Sequence, residues 1–155
     1  MAFIYRFANN PYINRLIQNL RGNAYAYSFE KSPSGTVKFF RQLKKGNSCG
    51  LLIDQKLNSG MELDFLGKAA KTQTIVPELA KRFDLIIIPV RVIRYDKYYH
   101  KLEFGNAINY KEFSEDKNLI QEINNVISAW IEKTPEQWFW LHDRWGLKKR
   151  KKRGG

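Results

Sequence analysis

The stretch CGLLIDQ, Cys49–Gln55, is a compact apolar run that ends in a carboxylate and an amide. Cys49 to Ile53 is expected to form a buried strand whose C-terminal end delivers Asp54 and Gln55 into a loop containing Gly60. Open α/β sheets bind ligands at the C-terminal edge of their strands, so Asp54 and Gln55 are candidate site residues. An aspartate that only caps the following turn fits the same pattern equally well.

Working outward, helical and strand patterns alternate. Asn10-Pro11 followed by Ile13, Leu16, Ile17 and Leu20 predicts a helix, with Asn10 as N-cap and Pro11 at the first helical position. Ala24–Phe29 reads as a strand, Ser32–Gly35 as a turn, and Val37, Phe40 and Leu43 as one face of a short helix ended by Gly46. A short strand is expected around Met61–Leu66, then a helix presenting Ile75, Val76, Leu79, Ala80 and Phe83. Leu85–Arg94 is the strongest strand pattern, although Pro89 demands an edge or an irregularity there. Tyr98–Phe104 alternates as an antiparallel partner would. Leu119, Ile120, Ile123, Val126, Ile127 and Trp130 mark a long amphipathic helix, with Asp116 near its start and Pro135 after its end. This alternation predicts an α/β architecture, a mixed sheet flanked by helices.

The chain of 155 residues is long enough for one domain with its own core, without disulfides or metals. Its formal net charge of +12 points to an anionic partner: nucleic acid, a lipid surface or an acidic protein. The single cysteine, Cys49, excludes a disulfide framework and reads as an inert, buried thiol. The N-terminus lacks the apolar core of a signal peptide, and the longest apolar run, Leu85–Val90, is far too short to span a bilayer.

No complete catalytic set is visible. His100 falls within an alternating strand, where a half-buried structural role is expected, and His142 is next to Asp143 without forming an obvious dyad. Neither a nucleophile elbow, a Walker loop nor a zinc motif is present. Arg6, Arg21, Arg91 and Arg94 are candidates for phosphate or oxyanion recognition, because guanidinium offers a fixed fork of donors, although most arginines of a basic chain are solvated surface charges. The segment PEQWFWLHDRW, Pro135–Trp145, precedes the basic tail Lys148–Arg153. Its aromatics suit either a plug on the core or, as the alternative function, a nucleic-acid-binding module that stacks bases. No nucleic-acid motif accompanies them, so no nucleic-acid partner is expected.

Four segments in order resemble the bacterial lipid A biosynthesis acyltransferases of the lauroyl/myristoyl type, within the lysophospholipid acyltransferase-like group. They are IYRFANNPYINRLIQNLR, LKKGNSCGLLIDQKLNSGMELDFLGKAAKTQTIVPELAKRF, IIIPVRVIR and PEQWFWLHDRW. The resemblance implies an acyltransferase-like fold over residues 1–147; the basic tail, residues 148–155, is expected to be disordered from its composition. The resemblance further implies transfer of a fatty acyl chain from acyl carrier protein to a hydroxyl of a lipid A precursor, without a cofactor or metal. The work is done peripherally at the cytoplasmic face of the inner membrane, against an anionic lipid surface.

The family's general base is a histidine followed, after four intervening residues, by Asp or Glu. Here Gly105 follows His100 at that spacing, and Leu147 follows His142. The expectation is therefore a C-terminal portion of the enzyme, a truncated domain whose base comes from elsewhere, for instance from a separately encoded N-terminal half. Carried over residue by residue, Arg21 matches a phosphate- or oxyanion-binding arginine and Asp54 the functional acid of the DQ motif, with Gln55 beside it. Arg6, Asn10 and Pro11 match a motif shaping the same cleft. The terminal HDRWG departs from the usual His-x-Arg-Trp/Phe-Lys, so no role is carried to Asp143.

Overall fold

A computed structural model of the chain describes residues 1–5, 8–21, 27–141 and 143–146, the side chain of Arg21 excepted. The chain divides into two compact units, Met1–Leu52 and Ile53–Gly155.

The first unit is a small parallel sheet with helical connections. Strand β1 (Ala2–Tyr5) leads to helix α1 (Pro11–Arg21), strand β2 (Tyr27–Glu30), helix α2 (Pro33–Lys44) and the short strand β3 (Cys49–Gly50). β1 lies in the centre, parallel to β2 on one side and β3 on the other, and α2 packs against β1 and β2. Parallel neighbours require such crossovers, because a hairpin returns the chain in the opposite direction. Asn10 caps α1 as expected: its Oδ1 accepts from the Tyr12 and Ile13 backbone N–H groups at 2.9 and 3.3 Å.

Three local expectations change in this unit. Ser32–Gly35 is not a free turn but the start of α2: Ser32 is the N-cap, its Oγ accepts from Gly35 N at 3.1 Å, and Pro33 occupies the first helical position. Serine-proline serves a turn and a helix start equally well, and the apolar residues that follow decide between them. The buried face of α2 is Gly35, Phe39 and Leu43, whereas Val37 is exposed. The strand expected over Cys49–Ile53 is paired only at Cys49 and Gly50, opposite Ala2 and Phe3, and Leu52 is 76% exposed. An apolar run reports a tendency to leave water, not the length of the ladder its neighbour offers.

The second unit opens with the hairpin of β4 (Met61–Phe65) and β5 (Lys68–Thr72). Leu66 and Gly67 form its two-residue turn at φ of 54° and 72°, the doubly left-handed geometry that matches the twist of the flanking strands. Helix α3 (Ile75–Phe83) buries Val76, Leu79 and Ala80 on the expected face. The strong Leu85–Arg94 pattern splits into β6 (Ile86–Ile87) and β7 (Val90–Arg94) around Ile88-Pro89, since proline has no N–H for a ladder. β7 pairs antiparallel with β8 (His100–Phe104), as anticipated, and β6 with β9 (Ile108–Asn109). Helix α4 (Asp116–Lys133) completes the unit, followed by a 3-10 turn at Pro135–Gln137.

Two apolar clusters share α4. Leu119 and Ile123 pack with Val76 and Ile108, with Ile53 against them, while Ile131 packs with Phe65 and Ala70 beneath Trp138 and Trp145. The fold is of the α/β class expected. Among the described residues its strands form one three-stranded parallel sheet and three antiparallel pairs.

Candidate functional site

Ile53 is anchored against the α3–α4 cluster, so the residue after it starts from a fixed point. Asp54 is half-buried, and its Oδ2 accepts a hydrogen bond from the indole Nε1–H of Trp138 at 3.2 Å. The carboxylate is thus engaged across 84 positions of sequence rather than spent on capping its own turn. Gln55 is exposed beside it.

The loop after Gln55 is tied to β5. Leu57 N donates to Lys71 O at 3.4 Å, Lys71 Nζ to Asn58 O at 2.9 Å, and Gly60 N to Leu57 O at 2.8 Å. Gly60 is required where it stands, because a Cβ there would strike the carbonyls of Thr72 and Leu57.

The same edge of β5 receives the C-terminal segment. Arg144 is fully buried; its guanidinium donates to Lys71 O and, at 2.8 Å, to Thr72 Oγ1, and lies 4.7 Å from the centre of the Phe65 ring. Buried Asn124 on α4 also donates to Thr72 Oγ1, at 3.1 Å, and to Asp64 O at 2.8 Å. The Thr72 hydroxyl in turn donates to Ala70 O at 3.3 Å, so its one proton and two lone pairs are all used. Burial pulls the Arg144 guanidinium below its ordinary pKa, and the charge of Asp54 opposes that shift. The charge of Asp54 thus helps to keep the buried guanidinium ionised.

The aromatic segment closes this arrangement. Trp138 sits 5.7 Å from Phe65 and 6.0 Å from Trp145, and meets Trp140 edge-on at 4.6 Å; Trp145 Nε1 donates to Phe65 O at 3.1 Å. Trp138 and Trp145 are the plug on the core that the sequence suggested, while Phe139, Trp140 and Leu141 remain more than half exposed.

The other candidates fall elsewhere. Asn10 and the backbone of Arg21 begin and end α1 in the first unit, whereas Asp54 and Gln55 belong to the second. Arg6, the side chain of Arg21, His142 and the tail 148–155 lie outside the described residues. His100 is exposed at the start of β8, not half-buried as its alternation suggested, because it stands opposite Arg94 at the loop end of the hairpin. Arg91 is structural: it pairs with Glu103 at 2.8 Å, donates to Trp130 O at 3.2 Å and lies over the Trp130 ring. Burial raises the Cys49 thiol above its ordinary pKa, which disfavours the reactive thiolate. Among the described residues, no cluster of His, Cys, Asp and Glu is placed to hold a metal ion.

The residues that sequence reasoning missed are Thr72, Asn124 and Arg144. The signal available was the aromatic segment around Arg144, whose tryptophans had to pack against something.

Compared with protein families, residues 1–147 match the model of the bacterial lipid A biosynthesis acyltransferases. The chain belongs to this family. No curated protein matched the chain. Within the matched residues, Asp54 and Gln55 stand together, and the Asp54 carboxylate accepts from Trp138. No helix among the described residues is long and apolar enough to cross a membrane.

Proposed function

We propose that this lipid A acyltransferase takes part in moving a fatty acyl chain from acyl carrier protein, held as a thioester, to a hydroxyl of a lipid A precursor. A general base takes the hydroxyl proton, the oxygen attacks the thioester carbonyl, and the tetrahedral intermediate expels the carrier thiolate, which takes up a proton. In this reading Asp54 and Arg21 are catalytic, Arg21 binding phosphate or the oxyanion, and Arg6, Asn10 and Gln55 bind substrate. Neither His100 nor His142 is followed at the family's spacing by a carboxylate, so the base is supplied by a His-x4-Asp/Glu segment outside these 155 residues.

The match over residues 1–147 carries this reading. The net charge of +12 supports it, since the phosphorylated acceptor, the acidic carrier protein and an anionic leaflet are all negative. The same charge favours work as a peripheral protein at the cytoplasmic face of the inner membrane. Purified chain incubated with radiolabelled acyl carrier protein thioester and lipid A precursor is expected to give no acylated product alone. Product is expected when a His-x4-Asp/Glu segment of the family is added, and its continued absence would refute the proposal.

A further inference from the structure

We propose that Trp138 and Arg144 are positioning residues that hold the Asp54 carboxylate in one orientation. The inference rests on Asp54 belonging to the acyl-transfer site. A carboxylate on a loop ordinarily rotates among several solvated orientations, and a fixed donor selects one of them. The Trp138 N–H is such a donor: its ring is packed against Phe65, Trp140 and Trp145, and its Nε1 is 3.2 Å from Asp54 Oδ2. The segment carrying Trp138 is in turn held by Arg144, whose two hydrogen bonds land on Lys71 and Thr72. Lys71 O also accepts from Leu57 of the loop that follows Asp54. One edge of β5 therefore sets both the loop bearing the carboxylate and the segment bearing its donor.

The chemistry of Arg144 argues that it does more than pack. It is fully buried, and its Nε has no hydrogen-bond partner among the described residues. An apolar side chain of similar volume would fill the space beneath Phe65 without the desolvation of a charge. What an apolar side chain could not supply is the pair of hydrogen bonds that ties this segment to Lys71 O and Thr72 Oγ1, on the edge of β5 that also holds the loop after Asp54.

The test uses the whole chain labelled with 15N. Its four tryptophans give separable indole resonances, and Trp138→Phe assigns one of them. Asp54→Asn is expected to move the Trp138 indole resonance upfield as the charged acceptor is lost. Arg144→Lys is expected to preserve its position and Arg144→Met to shift it; if Arg144→Met fails to fold, the Asp54→Asn spectrum decides. Trp138→Phe keeps a ring against Phe65 and removes the donor together with the pyrrole half of the indole, at some cost in melting temperature. Below its melting transition it is expected to bind lipid A precursor in detergent micelles several-fold more weakly than wild type. An indole resonance indifferent to Asp54→Asn overturns the inference, as does undiminished precursor binding by Trp138→Phe. A resonance that responds to Asp54→Asn in a protein that binds no precursor leaves the positioning intact and refutes the acyl-transfer reading instead.

Discussion

At the scale of single residues, the Thr72 hydroxyl uses every hydrogen-bonding position it has. It accepts from Arg144 and Asn124 and donates to Ala70 O. Thr72→Val keeps the shape and removes all three bonds, leaving a buried guanidinium and a buried amide each one partner short. The expected loss is about 1–3 kcal/mol, seen as a lower urea midpoint with an unchanged denaturant slope. Asp54 was legible in the sequence because a carboxylate at the end of an apolar run stands out from its neighbours. Arg144 was not, because in a basic chain one more arginine carries no signal. Its burial depends on a carbonyl and a hydroxyl more than 70 positions away, brought close only by the hairpin.

Among elements, the β7–β8 hairpin shows how charge fixes a strand pair to a helix. Glu103 on β8 pairs with Lys101 at 2.9 Å and with Arg91 at 2.8 Å, and Arg91 reaches Trp130 on α4. Hydrogen bonds from Lys101 and then Arg91 hold the Glu103 carboxyl below its ordinary value of about 4.5. The unfolded chain therefore binds this proton more readily than the folded one. The stabilisation is fully present above the ordinary value and is lost as pH falls through the lowered one. Urea midpoints compared at about pH 7 and about pH 3 are expected to fall further in the wild type than in Glu103→Gln, because the variant has no such contribution to lose. Equal falls would remove Glu103 from the acid response.

The presence of helices α1 to α4 was readable, since apolar spacing and caps are local, and Asn10, Asp116 and Pro135 mark ends where expected; the start and buried face of α2 were not. Strand lengths were not readable. The Leu85–Arg94 run breaks at Pro89, and Cys49–Ile53 pairs over two residues, because a ladder ends where its partner ends. The β4–β5 turn shows the same limit: Leu66 holds a left-handed conformation that its residue type does not advertise, with Gly67 beside it.

For the whole molecule, the family was legible because four ordered motifs spread over the chain each carry part of it, and the match over residues 1–147 agrees. Asp54 and the aromatic segment that holds it both lie within the chain, and neither His100 nor His142 is followed after four residues by Asp or Glu. The central claim is that Asp54 serves acyl transfer once a general base is supplied. Mass spectrometry of lipid A tests it most directly, in bacteria lacking the corresponding acyltransferase and co-expressing this chain with a His-x4-Asp/Glu segment of the family. Lipid A heavier by one acyl chain is predicted for the wild-type chain and is predicted to disappear with Asp54→Ala. An unchanged lipid A in the wild-type strain, or the same added acyl chain with Asp54→Ala, would contradict the account.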